Sequence, residues 1–406
     1  MTMLDRIDNE FLRDKQNSKI RREKMRTLIV LGISLLSSVS YVHASDPIKI
    51  GMSQPLTGDI AAAGTYVANG ARVAVEVVNK SGGVLGRQIQ LILEDNKSNP
   101  KEAVATAEKL LSGDKVPVIL GAWGSTLTLA IMPRLLEYKV PMVVETASSS
   151  KVTTSGNPWV FRISPPSAIE AKAFGDTLFT KFTPAIKKAD MLVVNNDWGR
   201  GASDEFTKLM RSKGVQIGAV ETMAPDATDL SAQLAKIKQS GGDTLFVTTG
   251  IEQLTLVLKQ AQEQRVPQRI VSTGGSSAPD QLIEQAGLAA NGSYHIVFFA
   301  PWFPEDAAHP EVAKTFIEAW KKKGYAAAGL TDGFRGYDGI LTAVQAIKDA
   351  GKAEPAAIRD ALWNVNVKGA NGDIKFEKAG PAGQESGQSI PNIYVVQIKD
   401  GKVVKP

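Results

Sequence analysis

The chain contains no cysteine, which excludes disulfide staples, thiolate metal sites and cysteine nucleophiles together. Only three histidines occur, His43, His295 and His309. One falls in a leader-like segment, and the other two read as surface or strand-end residues rather than bases or ligands. There is no Gly-x-x-x-x-Gly-Lys-Ser/Thr phosphate loop, no Gly-x-Gly-x-x-Gly after the first strand-like run and no Gly-x-Ser-x-Gly elbow. The closest glycine cluster, Ser81 to Gly86, follows a helical pattern, where it serves as cap and turn. Paired acids such as Glu94-Asp95 and Asp204-Glu205 fall at a strand end and in a first helical turn, where solvation and the helix dipole account for them. Without a catalytic constellation the chain reads as a non-enzyme needing no cofactor and no metal.

Excess charge is also scarce where it would matter. The net charge is +5, of which residues 1–44 carry +3 and the remainder +2. That balance gives no electrostatic case for nucleic-acid binding. A hydrophobic content of 43% and a charged content of 22% over 406 residues suit two domains with full cores.

Long apolar runs are lacking too. Arg21, Arg22, Lys24 and Arg26 precede an apolar stretch from Leu28 to Val39, and Val42-His43-Ala44 offers small residues at the positions a signal peptidase reads. The stretch is about a dozen residues, short of the ~20 that a spanning helix needs. Residues 1–44 are therefore expected to be a signal peptide with an upstream extension, cleaved after Ala44, leaving a periplasmic protein. Met1 and Met25 both stand as possible starts. The missing cysteine argues against a lipoprotein anchor.

From Ile48 onward strand-like and helix-like segments alternate. Ile48 to Met52, Ile89 to Leu93, Val116 to Leu120 and Val140 to Val144 read as strands, separated by helices at Thr65 to Asn79, Lys101 to Leu111 and Thr126 to Tyr138. After Pro165-Pro166 the pattern restarts, with strands at Met191 to Val194, Gln216 to Val220, Thr244 to Thr248, Arg269 to Ser272 and His295 to Phe299. Two long helices, Glu311 to Lys322 and Asp338 to Ala350, follow. This layout predicts an α/β fold of two doubly wound parallel-sheet lobes joined by three crossovers, near Ser164-Pro165, Ala300-Pro301 and residues 370–376. The first lobe would hold residues 45–164 and 301–370, the second 165–300 and 371–406. Ligands of such folds bind beyond the carboxyl ends of the strands, so facing lobes share one cleft.

The segment Val118 to Pro133 is the most informative. An apolar strand stops at Gly121, and Trp123 and Gly124 lead to Ser125-Thr126, which open an amphipathic stretch. Such a turn aims free backbone N–H groups and a helix dipole at a crevice, where a carboxylate fits without any lysine or arginine. A plain turn with Ser125 as the helix cap is the alternative.

Several motifs, in order and at matching spacing, carry a resemblance. They are Ile48-Lys-Ile-Gly-Met-Ser-Gln-Pro-Leu-Thr-Gly58, Asn69-Gly-Ala-Arg-Val-Ala74, Asn79 to Gly86, Asp95-Asn-Lys-Ser-Asn-Pro100, Val140-Pro-Met-Val-Val144 with Ala147-Ser-Ser149, Asn196-Asp-Trp-Gly-Arg-Gly201, and Gly336-Tyr-Asp-Gly339. The chain resembles the leucine/isoleucine/valine-type substrate-binding proteins of ABC importers, with the type I periplasmic binding protein fold, from about Asp46 to Val404. The resemblance implies a monomer whose lobes close by a hinge motion on a small carboxylate-bearing molecule and present it to a membrane permease. A sensory protein of the same fold, reporting to a signalling partner, is the alternative. It also implies that Ser125 grips the ligand carboxylate and that the Ala147–Ser148–Ser149 loop assists. Trp198 would then supply a second-lobe aromatic and Trp123 an apolar wall. Two departures stand out. The acid that pairs with an α-ammonium in amino-acid binders of the family falls here at about Gly275, and a tyrosine falls near Gly250. Glu252 or Asp197 would have to replace the charge. A family disulfide is replaced by Ser98 and Gly124. These departures predict an aromatic or 2-oxo acid rather than an ordinary α-amino acid as the ligand.

Overall fold

Buried strands in parallel sheets are hydrophobic on both faces, and runs such as Ile119–Gly121, Met142–Val144 and Thr244–Thr248 are buried at every position. The computed structural model describes Arg13, residues 15–19, Arg21, Arg22 and residues 46–406. The expected leader and its cleavage point lie outside the described residues. Among the described residues no helix is long and apolar enough to cross a membrane.

Asp46–Pro406 folds as one unit built on two seven-stranded sheets. Across the first sheet the order is Glu377–Ala379, Ser386–Gln388, Val160–Arg162, Met142–Val144, Ile119–Gly121, Ile48–Gln54 and Ile89–Asp95. All neighbours in it are parallel except the pair formed by Glu377–Ala379 and Ser386–Gln388. The second sheet runs Lys402–Val404, Tyr394–Lys399, Tyr294–Val297, Arg269–Gly275, Thr244–Thr248, Lys188–Val194 and Gln216–Met223. Its first two strands are antiparallel additions, and the rest is parallel. In each sheet the winding reverses beside the first strand of the lobe, at Ile48–Gln54 and at Lys188–Val194, which places a crevice at the carboxyl ends of those strands.

The chain passes between sheets after Arg162, after Val297 and between Gln388 and Tyr394. The third passage corrects the expected crossover at 370–376 and the assignment of all of 371–406 to the second lobe. Glu377–Ala379 and Ser386–Gln388 still belong to the first sheet, because Gly387 and Gln388 pair in register with Phe161 and Arg162.

A second difference concerns the helix expected to begin at Asp338. It spans Leu330–Ala350, two turns longer at its start. Gly333, Gly336 and Gly339 disguise that extension, because glycine disfavours an isolated helix. Here those glycines let the helix approach Ala61–Lys80 at backbone contact. A methyl group on Gly70 would lie 1.7 Å from the Gly333 carbonyl oxygen, and one on Gly336 would lie 1.9 Å from that of Val67.

Gly70→Ala should therefore lower stability by about 2–3 kcal/mol through overpacking against backbone. Gly201→Ala, in a helix with nothing within 4 Å of the new methyl, should be neutral or stabilise by up to ~1 kcal/mol. Denaturant melts of the two variants, side by side, check this contrast.

Candidate functional site

The strand Ile119–Gly121 ends at the first crevice, and Gly124, at φ 100°, holds the N-cap position of the helix Ser125–Tyr138. Ser125 is thus the first helical residue and not the cap. No side chain caps this helix, and its first backward bond runs from the Thr128 amide to the Gly124 carbonyl at 3.1 Å. The amides of Ser125, Thr126 and Leu127 are left without intrahelical partners at the positive end of the dipole.

The Ser125 hydroxyl accepts a hydrogen bond from the Ser149 amide at 3.0 Å and keeps its own proton to donate. The loop carrying Ser149 is held from below by Arg162. One guanidinium nitrogen of Arg162 donates to the Ala147 carbonyl at 3.0 Å and to the Ser149 carbonyl at 2.7 Å. The other donates to Thr153 Oγ1 at 2.8 Å, and Nε donates to Gln388 Oε1 at 2.6 Å. Ser148 is tied locally, its hydroxyl donating to Thr146 and its carbonyl accepting from the Ser167 amide.

From the second sheet, the helix Asp197–Ser212 starts at Asn196, whose side chain accepts from the Gly199 amide. This places Trp198 edge-on to Trp123, ring centres 5.8 Å apart at 85°. Trp198 lies against Gly274, where an added methyl would sit 2.2 Å from the indole. At Gly275 it would instead strike the Phe298 ring at 2.6 Å.

A cavity of about 340 Å³ opens between these elements. Trp123, Ser125, Thr126, Trp198 and Gly250 line it, together with Asp59, Leu127, Asp197, Pro225 and Glu252. A recess of about 10 Å³, the space of a single water, shares Trp123, Ser125 and Trp198 and adds Ala147, Ser148, Gly274 and Ser276. Ser149 lines neither space and acts through its amide on Ser125. Gly275 lines neither as well, so its expected place in the wall is corrected to Gly274 and Ser276. The cause is the path of the strand Arg269–Gly275: its last residue turns beneath Phe298 and offers only a carbonyl, which Arg335 takes at 2.9 Å.

The two acids considered as replacement charges differ. Asp197 accepts from the Thr126 hydroxyl at 3.0 Å and lies near Lys151 at 3.7 Å and Arg200 at 3.5 Å, so it is engaged as a bridge across the cleft. Glu252 retains an accessible surface. Even so, the protein around its carboxyl raises its pKa, and Asp332 and Asp59 push the same way. No other residue's side chain pairs with it among the described residues.

Behind the recess lies a buried charge cluster that nothing in the sequence pattern announced. Arg335, 1% exposed, meets Asp332 at 3.2 Å, and Ser276 bonds both. Glu145 accepts from Gln54, and Glu170 accepts from the Gly274 amide at 2.5 Å. Each keeps one carboxyl oxygen buried without a partner. One arginine cannot neutralise three acids, and burial raises Glu145 and Glu170 to about 7. Asp338, held by the amides of Ala370 and Asn371, is raised to about 7 by burial as well. Arg162 and Arg335 are missed by sequence reasoning because each stands alone in its own segment. Only the fold brings them to the cleft.

A family model described as periplasmic binding protein matches residues 47–402. The chain is 25% identical over 348 residues to a leucine-, isoleucine-, valine-, threonine- and alanine-binding protein of Pseudomonas aeruginosa, covering 86% of this chain and 90% of that one. Among solved structures, it is similar to a leucine-binding protein of Thermotoga maritima (TM-score 0.76, 29% identity, 88% of this chain and 97% of that one). It is also similar to an ABC-transporter solute-binding protein of Rhodopseudomonas palustris in complex with 3,4-dihydroxybenzoic acid (TM-score 0.75, 25% identity, 88% and 95%).

The raised acids set a pH dependence of stability. Between 4.5, the ordinary value, and about 7 the folded protein keeps protons on Glu145 and Glu170 that the unfolded chain has released. Folding therefore takes up protons in that window, and stability falls as pH rises through it. The melting temperature should be higher at pH 5 than at pH 8, and Glu145→Gln with Glu170→Gln should flatten the slope. An unchanged slope in the double variant would rule these acids out as its source.

Proposed function

The chain belongs to the periplasmic binding protein family, and from that premise we propose that it is a periplasmic solute-binding protein. It would act as a monomer and deliver a small carboxylate ligand to an ABC import permease without performing chemistry on it. One observation carries this reading: the uncapped helix start at Ser125–Leu127, with the Ser125 hydroxyl, faces a cavity of about 340 Å³ between two lobes. A carboxylate there meets amides, a hydroxyl and the helix dipole at once.

The body of the ligand is aromatic or a 2-oxo acid in preference to an ordinary α-amino acid. Trp198 fills the space over Gly274 and Phe298 that over Gly275, so neither position has room for an acid, and Asp197 is already bound to Thr126. An α-ammonium there would have to draw its counter-charge from Asp59 or from Glu252, whose pKa burial raises and whose charged form is therefore costly to hold. The tryptophan pair offers instead an apolar wall suited to a ring or branched chain. One relative is described as binding amino acids and another as holding 3,4-dihydroxybenzoic acid, which supports a scaffold open to either body. Closure of the lobes on the ligand would stabilise the folded state.

Purified protein titrated with phenylalanine, leucine, benzoate and 4-methyl-2-oxopentanoate should show melting-temperature increases with the last two. Binding to the α-amino acids alone would overturn the proposed ligand class. Ser125→Ala should weaken the bound acid about tenfold, the worth of one charge-assisted hydrogen bond.

A further inference from the structure

Among the described residues two arginines are fully buried, and their surroundings are opposite. Arg335 has Asp332 beside it, with Glu145 and Glu170 close enough to act on its charge. Arg162, 0% exposed, has no acid at all among the described residues. Its four groups of partners are the Ala147 and Ser149 carbonyls, the Thr153 hydroxyl and the Gln388 amide oxygen, all neutral. Burial lowers its pKa only to about 9, so it remains a cation at neutral pH. A buried cation with four hydrogen bonds to neutral groups and no opposite charge is an unusual arrangement, because desolvation is normally offset by an opposite charge.

The loop that Arg162 grips is the one whose Ser149 amide bonds the Ser125 hydroxyl. The unbalanced cation therefore lies directly under the anion-facing end of the cavity, separated from it by one loop. We infer that the counter-charge of Arg162 is the ligand's own carboxylate, so that Arg162 sets the preference of the site for an anion over its neutral isostere. This rests on the carboxylate reading above and adds to it the source of the charge selectivity. Open amides alone would take a neutral carbonyl or amide oxygen as well. A fixed positive charge in a low-dielectric surround favours the ionised form specifically. Arg162 touches no ligand in this account and is a positioning residue with an electrostatic role.

The test compares acids with their amides: benzoate with benzamide, 4-methyl-2-oxopentanoate with its amide, and leucine with leucinamide, each titrated by calorimetry into the protein. For whichever pair binds, wild type should favour the acid by about a hundredfold, and Arg162→Gln, whatever it costs both ligands through the loop it holds, should narrow that ratio about tenfold. Arg162→Lys should keep most of the ratio. Thr153→Asp provides a variant that keeps the arginine and its bonds to the Ala147 and Ser149 carbonyls and Gln388. It sets a carboxylate where the Thr153 hydroxyl now meets the guanidinium at 2.8 Å, supplies the missing counter-charge internally, and should narrow the ratio similarly. Equal loss for acid and amide in Arg162→Gln, or an unchanged ratio in Thr153→Asp, would overturn the inference and leave Arg162 a structural clamp. Wild type binding the amides as well as the acids would instead bring down the carboxylate reading itself, and this inference with it.

Discussion

A parallel sheet must return its chain across one face or the other, and where the direction of winding reverses, neighbouring connections diverge and leave a gap. Both sheets of this protein reverse beside their lobe's first strand, so two gaps exist and the chain's three passages set them against each other. Every feature of the cavity follows from that constraint. The connection after Ile119–Gly121 supplies Trp123 and the helix start at Ser125. The connection after Lys188–Val194 supplies Asp197 and Trp198, and the one after Thr244–Thr248 supplies Gly250 and Glu252. None of these residues is near another lobe's contribution in sequence, yet all meet within one space.

Holding the two gaps in register requires rigid support behind them, and glycine provides much of it. The helices Ala61–Lys80 and Leu330–Ala350 touch backbone to backbone through Gly70, Gly333 and Gly336. From the second of these helices Arg335 reaches across to the Gly275 carbonyl and Ser276 of the other sheet. Charge within this support is uneven. Acids outnumber the cation around Arg335, while Arg162 under the Ser149 loop has no acid beside it among the described residues.

Much of this was legible beforehand, for identifiable reasons. Strands buried on both faces announce themselves as apolar runs, and the turn from Gly121 to Ser125 is legible because small polar residues after a buried strand have few other uses. The family resemblance pointed to Trp123, Trp198 and the Ala147–Ser149 loop. The helix start at Leu330 was hidden because its glycines answer to a packing partner far away in sequence, the helix Ala61–Lys80, and not to local propensity. The last crossover was misplaced because Ser386–Gln388 is a short segment inside a Gly/Pro-rich stretch, and only its pairing with Val160–Arg162 makes it a strand. The buried charges were invisible for a further reason. An isolated arginine or glutamate reads as surface until the fold encloses it.

The contact between Trp198 and Gly274 also bears on how such a cleft changes its specificity over time. An acid introduced at Gly274 would collide with the indole, which lies 2.2 Å from the first added carbon. Shrinking Trp198 alone would empty the space without supplying a charge. A charge at that part of the wall therefore needs both a side chain at Gly274 and a smaller residue at Trp198, and neither change alone provides it. The pair is thus an epistatic lock, written into the chain by the absence of one side chain and the size of another.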